Sequence, residues 1–171
     1  MEKFEKASAQ DLERLFDEAC RKGAVLSLFH FDAHGSSEDE VSGVMVDFIG
    51  RMTNERGILY CKGEIEPPLE KEGKWSTIAE VKVLSNNLSA LLNLAFKYSP
   101  IAVEMLKPNE IRLTLEEAQS LVLDASGTAQ EYAQYVLEKT MTGDDLKRFR
   151  ERMKWRAERG REILEKAKRE G

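Results

Sequence analysis

Apolar residues recur at three- and four-residue intervals in the first stretch of the chain. Leu12, Leu15, Phe16, Ala19 and Cys20 follow Ser8 and Asp11, which predicts a helix that stops at Gly23. Ala24–Phe31 (AVLSLFHF) is continuous in apolar and aromatic residues and reads as a buried strand leading into Asp32-Ala33-His34-Gly35. Ser37 with Glu40 forms a capping box, and Val41, Val44, Met45, Phe48, Ile49 and Met52 give a second amphipathic helix halted near Asn54 and Gly57. Ile58–Ile65 and Trp75–Leu84 read as two strands of a hairpin with a long connection through Pro67-Pro68 and Gly73. Asn86 or Asn87 caps a third helix through Leu91, Leu92, Ala95 and Tyr98, which must end before Pro100 because the residue preceding proline avoids the helical region.

Ile101–Leu106 is a fourth strand, with a short extension expected at Ile111–Leu113. Thr114 and Glu117 make another capping box, and the stripe of Ala118, Leu121, Val122, Ala125, Tyr132 and Val136 runs to about Thr140, with a kink expected at Gly127. A last helix occupies the remaining residues, so that the chain divides into a core domain, 1–143, and a basic amphipathic helix, 144–171. The order strand, helix, strand, strand, helix, strand is that of a split βαβ, or ferredoxin-like, fold: an α+β protein with an antiparallel sheet, an extra N-terminal helix and two long C-terminal helices. In that topology the first strand is central. Strand alternation turns Val25, Phe29, Phe31, Cys61, Ile65, Val81, Val83, Val103 and Met105 toward the helices. The opposite face receives Leu26, Leu28, His30, Tyr60, Ile78, Glu80, Lys82 and Glu104, an apolar surface that needs a cover, either from flanking helices or from a second copy.

A chain of 171 residues with 42% apolar and 33% charged residues can bury one core and is too polar for a membrane span. Residues 1–6 carry no apolar leader, and the longest apolar segment, Leu88–Phe96, is interrupted by Ser89 and Asn93, which implies neither export nor membrane anchoring. Cys20 and Cys61 have no metal-type spacing and read as reduced, buried thiols of a cytoplasmic protein. Abundant Lys, Arg and Glu beside two His tilt the composition toward that of a thermophile. Residues 144–171 hold 11 Lys and Arg against 7 Asp and Glu, so the tail is net +4 and the rest of the chain net −9.

Two segments carry candidate chemistry. Both histidines lie in FHFDAHG, residues 29–35, where His30, Asp32 and His34 share one side of an extended chain. Imidazole and carboxylate at that spacing can hold Zn, Mn or Fe, with Glu80 or Glu104 from neighbouring strands completing the set. The favoured alternative is turn and capping chemistry by Asp32, Gly35 and Ser36, with the histidines bonded to backbone or water. The phrase resembles the metal-binding HFDAH segment of the ureohydrolase family. Asp32 and His34 match that motif, but Ser36 stands at its third ligand position and its aspartate-rich second motif is missing, so nothing further is carried over. No nucleophile elbow and no Gly-rich phosphate loop is present, which leaves no enzyme class supported and no cofactor expected beyond a divalent metal at the histidines.

The second segment is the terminal helix, where Lys147, Arg148, Arg152, Trp155, Arg156 and Arg159 could neutralise phosphates and stack on bases. The same helix has an apolar seam at Leu146, Phe149, Met153, Gly160, Ile163 and Ala167, which favours docking or oligomerisation over nucleic acid. In FHFDAHG and KYSPIAVEMLKP, and in the helix after them, the chain resembles conserved hypothetical proteins of hyperthermophilic archaea. That resemblance implies a prokaryotic cytoplasmic setting and brings no activity. The leading expectation is a non-enzymatic binding or regulatory module that forms a homo-oligomer through its sheet face, its C-terminal helices or both. RNA or single-stranded nucleic-acid binding by the basic helix is the alternative, and a metalloprotein or metal-dependent hydrolase at His30, Asp32 and His34 is the third reading.

Overall fold

Side-chain caps start the helices where the sequence places them. The computed structural model describes residues 8–140 and 143–170, and the leader reading on residues 1–6 lies outside them. The Asp11 N–H donates to Ser8 Oγ at 3.2 Å and opens α1 (Ala9–Cys20). The Glu40 N–H donates likewise to Ser37 Oγ to open α2 (Glu38–Thr53), while the Glu40 carboxylate accepts from the Ser36 N–H and hydroxyl. Those bonds hold Glu40 below the usual carboxylate range. Asn87, rather than Asn86, caps α3 (Leu88–Tyr98), which ends at Ser99 in the left-handed region just before Pro100. A full capping box between Thr114 and Glu117 opens α4 (Leu115–Thr140), which runs unbroken through Gly127, and α5 (Asp144–Glu170) follows.

The strands are β1 (Val25–Gly35), β2 (Ile58–Ile65), β3 (Leu69–Lys71), β4 (Lys74–Ser85) and β5 (Ala102–Lys107). They form one antiparallel sheet in the order β2-β4-β1-β5, with β3 pairing onto β4. This is the split βαβ order: β1 is central, and β2 and β5 are the edges. The register between β1 and β4 is unbroken from Val25↔Ser85 to Gly35↔Trp75.

Three local details differ from the sequence reading. β1 continues four residues past Phe31, because β4 extends far enough to pair with Asp32, Ala33, His34 and Gly35. The connection between the hairpin strands is not a long loop. β3 folds back on β4 through Glu72 and Gly73, both at positive φ (55° and 76°), the backbone that a two-residue hairpin turn requires. Ile111–Leu113 is not a strand.

The main core lies between the sheet and the α2/α3 layer. Val25, Phe29 and Phe31 of β1 and Ala79, Val81 and Val83 of β4 meet Met45 and Met52 of α2 and Leu91 and Leu94 of α3. Phe31, Phe48 and Tyr98 continue it as a chain of edge-to-face rings, a geometry that adds to area burial. A smaller cluster on the opposite face joins Phe16 of α1 to Ala24, Leu26 and Leu84, so α1 supplies part of the cover that face requires. The chain divides into two compact units, Met1–Ala125 and Ser126–Gly171. The second holds the later part of α4 and α5, joined by Arg150 donating to Glu138 at 3.1 Å. Leu146, Phe149 and Met153 are partly shielded, as an apolar seam requires, while the side chains of Ile163 and Ala167 lie outside the described residues.

Candidate functional site

The open sheet face beyond α1 gathers the histidine segment and its two neighbouring glutamates, Glu80 and Glu104. His30 stands across from Glu80 on β4 and beside Glu104 on β5. Its Nε2 lies 3.0 Å from Glu104 Oε1 and its Nδ1 3.7 Å from Glu80 Oε1. His34, two pleats further along β1, lies 2.9 Å from Asp32 Oδ2. The structure therefore places His30, Asp32 and His34 on one strand but sorts them into two separate pairings. Among the described residues no group of three or more His, Cys, Asp or Glu is arranged to hold a metal ion.

Next to His30, α1 and the sheet enclose a groove of about 370 Å³ whose apolar walls include Leu12, Phe16, Leu28 and Leu106. Its charges are largely matched at its rim. Glu64 faces Lys62 at 3.6 Å, and Glu13 accepts from Lys107 at 2.8 Å. Lys107 is shared with Asp17, also at 2.8 Å, and these two carboxylates, Asp17 foremost, hold its ammonium well above the usual lysine range. Asp17 is correspondingly lowered. Lys107 thus ties the end of β5 to α1, a link that sequence periodicity does not reveal because it joins residues 90 positions apart.

Neither cysteine is an activated nucleophile. Burial pushes the Cys61 thiol up to about 11 and raises Cys20 as well, so both remain protonated near neutral pH.

β5 is exposed along both faces from Ala102 to Leu106. Val103 and Met105, which alternation turns toward the helical layer, are not covered by it, and Met105 is 59% exposed. The helical layer packs mainly on β1, β2 and β4. At the other edge, Ile49 of α2 presses onto β2 so closely that a Cβ at Gly63 would fall 2.6 Å from its Cδ1.

On α5, Arg148, Arg152 and Trp155 share one exposed face at four- and three-residue spacing and line a shallow cavity of about 710 Å³ with Asp145 and Glu151. Lys147 and Arg156 are exposed but do not line it, and Arg159 donates to Glu162 at 2.9 Å. α4 has no buried residue over its length, although Leu115, Val122, Leu123, Tyr132, Tyr135 and Val136 lie along it.

These features define an α+β protein whose split βαβ sheet carries one covered face, one partly open face and one bare edge. The chain belongs to the MJ0538 family, whose model matches residues 27–151, from β1 into the start of α5. No curated protein and no solved structure matches the chain. No helix of the described residues is long and apolar enough to cross a membrane.

Proposed function

We propose that this protein is a non-enzymatic binding or regulatory module that self-associates through its sheet face, its C-terminal helices or both. The observation that carries the reading is the apolar surface of α4, a 26-residue helix with no buried residue on which Leu115 is 86%, Tyr132 72% and Val122 68% exposed. A helix of this length gains most of its stability from burying apolar residues, and large apolar side chains left exposed along it mark an interaction site. Support for the non-enzymatic side comes from the two protonated thiols, which offer no activated nucleophile. Light scattering on the full chain tests the reading: a dimer or larger species is expected. A monomer at every concentration overturns it. The charge-rich composition and the resemblance to archaeal proteins support a cytoplasmic, hot-environment setting.

A second reading rests on the α5 face. Two arginines one and two turns before an exposed tryptophan suit a phosphate backbone with a stacked base, which supports RNA or single-stranded nucleic-acid binding. Binding that weakens steeply with salt and is lost on combining Arg148→Glu, Arg152→Glu and Arg156→Glu is expected from a single-stranded oligonucleotide titration. No binding at low salt overturns this reading.

A further inference from the structure

We propose that β5 is the seam of a symmetric dimer, in which the edge strands of two copies pair antiparallel about a two-fold axis at Val103 and fuse two sheets into one. The proposal rests on the self-association reading and names the surface and the partner, a second copy of this chain.

The backbone of β5 is prepared for such pairing. The His30 carbonyl accepts from the Ile101 N–H at 2.9 Å, so His30 turns its backbone polar groups toward β5. Because antiparallel pairs alternate between bonded and non-bonded, His30–Ala102 and Leu28–Glu104 are then the bonded pairs. Val103 and Met105 consequently point their N–H and C=O groups out of the sheet, and β5 pairs only with β1 among the described residues. Edge strands that stay single are normally blunted by proline, by lysine or by an inward charge. Between Ala102 and Leu106 there is no proline or lysine, and the one charge, Glu104, is turned onto the open face toward His30. Lys107, at the strand's end, is drawn away toward Glu13 and Asp17. The opposite edge differs: β2 is overlain by Ile49 and presents the exposed charges Lys62 and Glu64.

Symmetry then selects the partner and the register. Facing residues of an antiparallel pair lie on one side of the sheet, so an isologous β5 pair must be centred on a residue. Centred on Glu104, it would set that carboxylate against its own copy, a like-charge pair that is destabilising. Centred on Met105, it would place Lys107 against Val103 and run into the register shift between Leu26 and Ser27. Centred on Val103, it sets Val103 against Val103 and Ile101 against Met105, one uninterrupted apolar row on the helix side, with Glu104 opposite the small Ala102 on the other. The outward groups fit the same register. Val103 N–H and C=O bond reciprocally across the axis, and each Met105 N–H meets the Ile101 carbonyl of the other copy. A foreign strand would not require this self-complementarity. The row is also the apolar surface that the helical layer leaves uncovered, with Ile101 60% exposed.

Sedimentation and hydrogen exchange on the full chain test the seam. The wild type is expected to sediment with twice the chain mass, and its Val103 and Met105 amides to be protected, losing protection on dilution. Val103→Pro removes an N–H that β5 does not use within its own sheet, and Val103→Lys with Met105→Lys places charges in the row. Each should yield one chain mass with native far-ultraviolet circular dichroism. A monomeric wild type overturns both the seam and the self-association reading. A wild type that associates while these amides exchange freely, or folded variants that keep the wild-type mass, overturns the seam alone. If the variants do not fold, amide protection in the wild type decides.

Discussion

At Gly57 the backbone takes φ +86°, its carbonyl accepts the Asn86 N–H at 2.8 Å, and an added Cβ would fall 2.8 Å from the Ala90 Cβ of α3. Left-handed backbone costs a non-glycine residue about 1–2 kcal/mol, and overpacking against a helix adds about 1–3 kcal/mol. Gly57→Ala is therefore expected to lower stability by about 2–5 kcal/mol in urea unfolding. Gly23→Ala isolates the backbone share, since Gly23 has φ +97° but nothing within 4 Å of its Cβ position, and it should cost about 1–2 kcal/mol. Equal losses at the two sites would mean that the Ala90 contact contributes nothing. Both glycines are legible in the sequence as stops, but the approach of Ala90 is not, because it depends on where α3 lands. The histidine segment shows the same limit. The faces of His30, Glu80 and Glu104 follow from strand alternation, and the structure does bring the three together. That Asp32 and His34 belong to β1 and bond one another depends on how far β4 extends beside them.

At the scale of elements, the ends of α2 and α3 are clipped together by one carboxylate. Glu55, just past α2, accepts from Lys97 Nζ and Tyr98 Oη, both at 2.6 Å. Lys97, then Tyr98, lowers Glu55 below its usual range, and burial with the Glu55 bond pushes the Tyr98 phenol up to about 12. The two shifts act at opposite ends of the pH scale. The Glu55 contribution is present above the pKa of an unfolded glutamate and lost as pH falls through the lowered folded value. The Tyr98 contribution is full below about pH 10, where unfolded tyrosine titrates, and is lost as pH rises toward 12. Tyr98→Phe should cost about 1.5–3 kcal/mol at neutral pH, the range for a bond to a charged acceptor, and should flatten the alkaline limb of a stability profile from urea midpoints. An alkaline limb as steep as in the wild type would place its origin elsewhere. Caps and stops made the helices legible, since Ser8, Ser37, Asn87 and Thr114 act through neighbours three residues away. β3 escaped because Glu72 is an unusual residue for positive φ, and only Gly73 signals the turn.

For the whole molecule, element order suffices to give the strand order, because crossover rules leave few ways to close a split βαβ sheet. What covers the second face and the β5 edge is not written in any local pattern. It is fixed by how far the α2/α3 layer reaches across the sheet, and by α1 returning to Leu26 and Leu84. If association covers the exposed apolar surface, stability must follow protein concentration. The midpoint of thermal unfolding, followed by circular dichroism, should rise as the chain is concentrated, and a midpoint independent of concentration would count against association. The central position of β1 has another consequence, for the order in which the molecule is made. Both of its ladder partners lie later in the chain, β4 ending at Ser85 and β5 at Lys107, whereas β2, β3 and β4 are neighbours that can pair as soon as they exist. A chain leaving the ribosome thus exposes Ala24–Phe29 well before any strand can shelter it, and must close a long loop to do so. An apolar strand at the centre of the sheet is synthesised early and protected late.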